Sequence, residues 1–243
     1  DIYFAGVLDW GVEGIALGTI IAEWSTVIFA VWLIMRELNS RRGPGSEFWP
    51  RSRLLDAAAL KKMLAANRDI MIRTLLLVFS FGFFINQSAQ FGDVVLAANH
   101  ILLQLISFAA FFLDGYAFVV ESLVGSSVGA RRRDSFDIAV KRSSILALVT
   151  ATALALLLLV FGDLAVAMLT DLEPVQTAAQ GSLFLAAIYI FFSFAAFQLD
   201  GVFIGASFTR QMRNAAFLSI AVFLFAWWIL MDRFGVNGLW WAM

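Results

Sequence analysis

Long apolar runs alternate with short polar connections along this chain. Six runs reach or approach the roughly 20 residues that a helix needs to cross a bilayer. They cover roughly residues 12–35, 70–91, 95–128, 143–162, 175–208 and 214–231, and a further stub begins near 236. The pattern predicts an all-α, polytopic transmembrane helical bundle. The third and fifth runs are much longer than a bilayer requires, so their helices must tilt, bend or project into water. Pro44, Pro50 and Pro174 all lie in connections. Any kink inside a helix must then come from glycine or a π-bulge, and Gly115 and Gly201 are the candidates.

Residues 36–69 form the only substantial polar stretch. Its centre, Ser40-Arg41-Arg42-Gly43-Pro44-Gly45-Ser46, has the composition of a flexible loop. From Leu54 to Leu64, apolar positions alternate with Arg53, Asp56, Lys61 and Lys62 in a pattern that fits a short amphipathic helix on the membrane surface. A long basic linker of this kind suggests a boundary between two groups of helices.

Charge orients the helices. Of the 17 Lys and Arg residues, 16 fall in three clusters: Arg36 to Arg73, Arg131 to Arg142, and Arg210 with Arg213. The alternate connections carry acids instead, at Asp93, at Asp163, Asp171 and Glu173, and at Asp232. Cytoplasmic loops collect Lys and Arg, so the first, third and fifth helices run inward and the others outward. Mean hydropathy is +0.86 and only 14% of residues are charged, well below the roughly 25% of soluble domains. With no cysteine and one histidine, thiolate metal sites and disulfides are excluded and a zinc site is disfavoured. The chain begins at Asp1 and ends within the apolar stretch Gly238-Leu239-Trp240-Trp241-Ala242-Met243, which reads as a fragment truncated at both ends.

Charges inside a membrane are costly and face the protein interior or a wet cavity. Glu23, Asp114, Glu121 and Asp200 qualify, and the sequence places no base at their depth. Asp200 lies ten residues before Arg210, roughly 15 Å along a helix, near the middle of the bilayer. Unpaired acids suit a carrier in which a proton or cation competes for a carboxylate. The plainer reading makes each acid a hydrogen-bonding strut between helices. Asn86, Gln87, Gln90, Gln104 and Gln198 add polar groups that either line a cavity or bond between helices. His100, near the outer surface, reads as an interfacial hydrogen-bonder rather than a proton relay.

One internal echo stands out. Ser107-Phe108-Ala109-Ala110-Phe111-Phe112-Leu113-Asp114-Gly115 matches Ser193-Phe194-Ala195-Ala196-Phe197-Gln198-Leu199-Asp200-Gly201 at eight of nine positions, 86 residues apart. Both copies fall in inward-running helices. Repeats are common in secondary transporters, whose sites lie near mid-membrane.

Leu96-Ala97-Ala98-Asn99-His100-Ile101-Leu102-Leu103-Gln104, then Leu113-Asp114-Gly115-Tyr116-Ala117-Phe118 with Glu121-Ser122-Leu123-Val124-Gly125 and Gly129-Ala130-Arg131, resemble the MATE (multidrug and toxic compound extrusion) family, in particular its DinF-like branch. Gly11-Val12-Glu13-Gly14, Asp200-Gly201-Val202-Phe203-Ile204-Gly205 and Gly235-Val236-Asn237-Gly238-Leu239-Trp240 are similar too. The resemblance implies two lobes of six helices joined by a cytoplasmic loop. Residues 1–37 would be the last helix of the N-terminal lobe, 38–66 the interlobe linker with its amphipathic helix, and 67–243 the C-terminal lobe with its last helix truncated.

The resemblance further implies a transporter of the bacterial inner membrane, with the linker in the cytoplasm. It would export cationic or amphipathic small molecules in exchange for H⁺ or Na⁺, needing no other cofactor and working with the missing N-terminal lobe. Its candidate binding or coupling residues here are Asp200, Asp114, Glu121, Gln198, Gln104 and Asn86; Asp200 matches the family's acid on helix 10. Some Na⁺-coupled members carry a glutamate midway along helix 7, whereas Leu75-Leu76-Leu77-Val78-Phe79-Ser80 has no acid. DinF-like proton-coupled members use acids of the N-terminal lobe, so the main coupling carboxylates are expected outside this chain.

Two other readings compete. A lipid-linked oligosaccharide flippase or exporter of the same superfamily would favour a more basic cavity, and here only Arg68 and Arg73 flank a helix interior. A non-transporting membrane scaffold is the other. No nucleophile–base pair, metal-ligand set or phosphate loop points to an enzyme, and no basic surface of the kind that binds nucleic acid appears.

Overall fold

The computed structural model describes residues 3–4, 10–41 and 56–243. Every element among them is helical, and six helices are long and apolar enough to span a membrane. In chain order they are α1 (Gly11–Arg41), α2 (Ala57–Ala89), α3 (Asp93–Gly129), α4 (Arg133–Leu169), α5 (Glu173–Gln180), α6 (Leu183–Gly205), α7 (Thr209–Phe234) and α8 (Val236–Ala242). The chain divides into two units, residues 1–56 and 57–243. In the first, α1 is one continuous helix whose Thr19 and Thr26 hydroxyls donate back to the carbonyls of Ile15 and Ala22. Self-capping of this kind satisfies a hydroxyl without a second helix.

The second unit differs from expectation in three elements. The amphipathic stretch after the linker is not separate from residue 57 onward: α2 runs unbroken from Ala57 to Ala89. The part of the linker at 42–55 lies outside the described residues. The fourth run, expected over 143–162, extends to 37 residues because its polar first turns stay helical. The fifth, expected as one helix over 175–208, is divided at Gly181–Ser182 into α5 and α6. Neither Gly115 nor Gly201 interrupts its helix.

Packing centres on α3, α4 and α6, with α2, α7 and α8 forming a second group against them. The central contact uses small residues. Along α4, Ala139, Ser143, Ala147, Ala151 and Ala155 recur every fourth position, and all are buried. Large side chains such as Leu146, Val149, Leu156 and Phe161 point outward. This inverts the soluble pattern, because lipid is as apolar as leucine and helices associate through close backbone approach.

Helices α3 and α6 approach each other closely. Gly201 lies against the carbonyl of Ala117, and Gly205 against that of Glu121. Partner numbers rise together, so the two helices run parallel, as their charge-derived direction predicted. Both end in the same way. Arg131 (φ 54°) and Ser207 (φ 59°) adopt the left-handed conformation, and the amides of Arg132 and Phe208 donate to Ser127 and Phe203.

Candidate functional site: a cavity lined by a repeated stripe

A cavity of about 840 Å³ opens among α2, α3, α6 and α8. Ser107, Ala110, Phe111 and Asp114 line it from α3, and Ser193, Ala196, Phe197 and Asp200 line it from α6. These are the same four positions of the two repeat copies. Their spacing of i, i+3, i+4 and i+7 is one face of an α-helix. Two parallel helices with one repeated segment thus present matching stripes to a common space, and each stripe ends in a carboxylate at its C-terminal end. The remaining wall is largely aromatic, with Phe81, Tyr189, Phe192, Trp240 and Trp241.

The acids do not lack a base at their depth, which corrects the sequence reading. Arg73 of α2 reaches into the cavity, and its Nη2 lies 2.7 Å from Asp200 Oδ1. Both side chains are about a quarter exposed, at 27% and 23%. In the sequence Arg73 falls with the first basic cluster, because the second apolar run begins near residue 70. With α2 starting at Ala57, Arg73 lies more than four turns into the helix. The missed signal is the unbroken helical pattern from Ala57 through Leu77, with no Gly or Pro to end it. Asp114 lines the same cavity and, like Asp200, lies within reach of the Arg73 charge. It makes no ion pair or hydrogen bond to a described residue.

The other sequence candidates lie elsewhere. Glu121 is half-buried at the α3–α6 contact, where its backbone meets Gly205. Asn86 and Gln104 are exposed and do not line the cavity. Gln198 is buried but turns away from the cavity, and neither atom of its amide group has a hydrogen-bond partner among the described residues. It is also the one position at which the repeat copies differ: Phe112, its counterpart, faces outward. Glu23 belongs to α1, in the other unit. His100 is exposed. Among the described residues no cluster of His, Cys, Asp and Glu could hold a metal ion.

Two polar ties support the cavity. Trp240 donates its indole N–H to Asn99 Oδ1 (3.0 Å), Asn99 Nδ2 donates to Ser88 Oγ (2.8 Å), and Ser88 donates to the carbonyl of Phe84. This chain joins α8, α3 and α2, with Phe84 and Trp240 ring to ring at 5.0 Å. At the basic end, Arg213 Nη1 of α7 lies 2.8 Å from Asp69 Oδ1 of α2, whose side chain is only 6% exposed. Arg68 adds a second contact at 3.2 Å. Asn99 and Asp69 were not singled out from sequence. A polar residue next to a helix end reads as surface until its partner helix is known.

Comparisons with known proteins agree with this architecture. The profile of the family described as MatE matches residues 70–228. The "DNA damage-inducible protein F" of Escherichia coli is 33% identical over 251 residues, which covers the whole chain and 52% of that protein. The "Probable multidrug resistance protein NorM" of Photorhabdus laumondii is 25% identical over 170 residues, 64% of the chain and 36% of that protein. The crystal structure of a mutant of the Vibrio cholerae MATE transporter VcmN superposes with a TM-score of 0.83 at 20% identity, over 100% of the chain and 54% of its own. The chain therefore spans about half the length of the Escherichia coli relative and of the solved Vibrio chain.

Proposed function

We propose, from the premise that this chain belongs to the MatE family on its DinF-like branch, that it supplies one lobe of a secondary active exporter of cationic or amphipathic small molecules. The coupling ion is H⁺ or Na⁺. The observation that supports this reading is the cavity: aromatic walls, two carboxylates and one guanidinium, with a formal excess of one negative charge. Aromatic faces attract organic cations. An apolar chamber with a few convergent polar groups is the usual form of a small-molecule site. The reading includes a multi-pass location in the bacterial inner membrane, with the linker at 38–66 in the cytoplasm and the lipid bilayer and a second lobe as its partners.

The mechanism that fits is exchange at a shared site. A cationic substrate enters from the inner face and is held by the aromatic wall and a carboxylate. A change in the relation between the lobes turns the cavity outward, and an arriving H⁺ or Na⁺ takes the carboxylate and releases the substrate. Each binding event excludes the other because they compete for one charge. A rocking carrier of this type needs both lobes.

The test uses the full-length protein in proteoliposomes loaded with ethidium. Efflux driven by an imposed pH or Na⁺ gradient is expected, and residues 1–243 alone should show none. Absence of efflux under either gradient, with the protein correctly inserted, would refute the transport reading. A more basic relative handling lipid-linked oligosaccharide would instead bind anionic sugar phosphates, which an acidic cavity repels.

A further inference from the structure

The two carboxylates are equivalent by sequence and unequal by surroundings. Asp114 and Asp200 end the same stripe on parallel helices, yet only Asp200 is ion-paired. Arg73 comes from α2, outside the repeat, and among the described residues it is the only Lys or Arg that lines the cavity. We propose that Arg73 is a resident cation that fills one of two equivalent carboxylate positions, so that the cavity accepts a single transported positive charge and Asp114 is the residue that receives it. The inference rests on the cavity being the substrate site and assigns the roles within it.

The physical case is one of charge count and position. A cavity with two free carboxylates would favour a dication, or two monovalent ions, and would hold them strongly in a poorly screened space. The 2.7 Å ion pair neutralises Asp200 and leaves one uncompensated acid. Asp114 sits on the same cavity wall as Phe111, Ala110 and Ser107, so a cation held there also contacts an aromatic ring. Arg73 adds specificity by repulsion, because a second positive group on the ligand would meet the guanidinium. Under this arrangement Asp200 acts as the anchor of Arg73 and does not contact the substrate's charge.

The experiment measures binding of tetraphenylphosphonium, a monocation, and methyl viologen, a dication, to the full-length protein in nanodiscs. Asp114→Asn should weaken tetraphenylphosphonium at least about tenfold. The double variant Arg73→Gln/Asp200→Asn removes anchor and resident cation together. It should weaken tetraphenylphosphonium clearly less than Asp114→Asn does. Arg73→Gln alone should raise methyl viologen affinity at least about tenfold, since it frees a second carboxylate. Normal binding by Asp114→Asn, a loss in the double variant as large as that of Asp114→Asn, or no gain for methyl viologen in Arg73→Gln would each overturn the assignment. Because the double variant creates no new unpaired charge, it tests the idea even where a single substitution misfolds. If the parent binds neither cation, the cavity is not the substrate site and the transport reading fails first.

Discussion

Gly115 and Gly201 occupy the same place in the two repeat copies, and a single methyl group should tell them apart. A Cβ on Gly115 would meet nothing within 4 Å. Gly115→Ala therefore adds only helix propensity, worth up to about 1 kcal/mol in favour of alanine. A Cβ on Gly201 would strike the carbonyl of Ala117 and come within 2.7 Å of Val120 Cγ1. Ordinary carbon contacts lie near 3.5–4.0 Å, so α3 and α6 must separate by about 1 Å. Neither obstacle is a flexible chain end: Val120 is fully buried and the carbonyl belongs to helix backbone. Overpacking of this kind costs about 1–3 kcal/mol, and the separation also weakens the close helix contacts around Gly205. Both substitutions gain the same helix propensity, so the two alanine variants should differ by the overpacking cost alone, roughly 1–3 kcal/mol. Unfolding in mixed micelles titrated with SDS, followed by far-ultraviolet circular dichroism, ranks the midpoints. Gly115→Ala should match or exceed the parent and Gly201→Ala should fall clearly below it. Equal midpoints would show that the α3–α6 contact is looser than described, and the parallel-stripe account of the cavity would fall with it.

Three further outcomes follow from the polar ties and the orientation. Trp240→Phe keeps an aromatic ring against Phe84 but removes the only donor to Asn99 Oδ1 among the described residues; leaving that buried carbonyl unpaired should cost about 1–3 kcal/mol, read as a lowered thermal midpoint, and an unchanged midpoint would remove the tie from the account. Asp69→Asn should cost about 1.5–3 kcal/mol through its charge-assisted bond to Arg213, and the reversal Asp69→Arg/Arg213→Asp should recover part of the loss; a reversal no better than the single change would mean that the pair is not an interaction unit. In intact bacteria, a membrane-impermeant maleimide should label Asp171→Cys and spare Asp134→Cys in this cysteine-free chain, and the opposite pattern would invert the membrane orientation.

The sequence made the helices legible because a bilayer imposes one length and one kind of surface on each. Asp93 and Arg131 sit at connections that charge alone marks, whereas Asp163, expected in a connection, lies inside α4. Helix extents were less legible. Residues 57–69 and 133–142 are polar enough to read as surface, yet they continue the helices of which they are the first turns. That error hid Arg73, because depth was counted from the wrong starting residue. The repeat was visible as matching letters, but its meaning needed the parallel packing of α3 and α6, a long-range fact. Gly201 shows the same limit. A glycine followed four residues later by Gly205 is a known signal of close membrane-helix approach, and reading it as a hinge overlooked the partner. Gln104 and Asn86 failed as cavity residues because helical phase, more than polarity, decides what a side chain faces.

The Trp240–Asn99–Ser88 chain has a fixed direction. An indole N–H can only donate, so Asn99 must present its oxygen to Trp240 and its nitrogen to Ser88, whose hydrogen then points to the Phe84 carbonyl. No reversed arrangement exists. In water, burying Leu239 and Trp240 would itself tell a terminal segment where to go. In lipid every apolar surface looks alike, and burial carries no address. The three side chains act as a keyed joint. They let α8 recognise one seat among many equally greasy ones, and that seat closes the outer wall of the cavity.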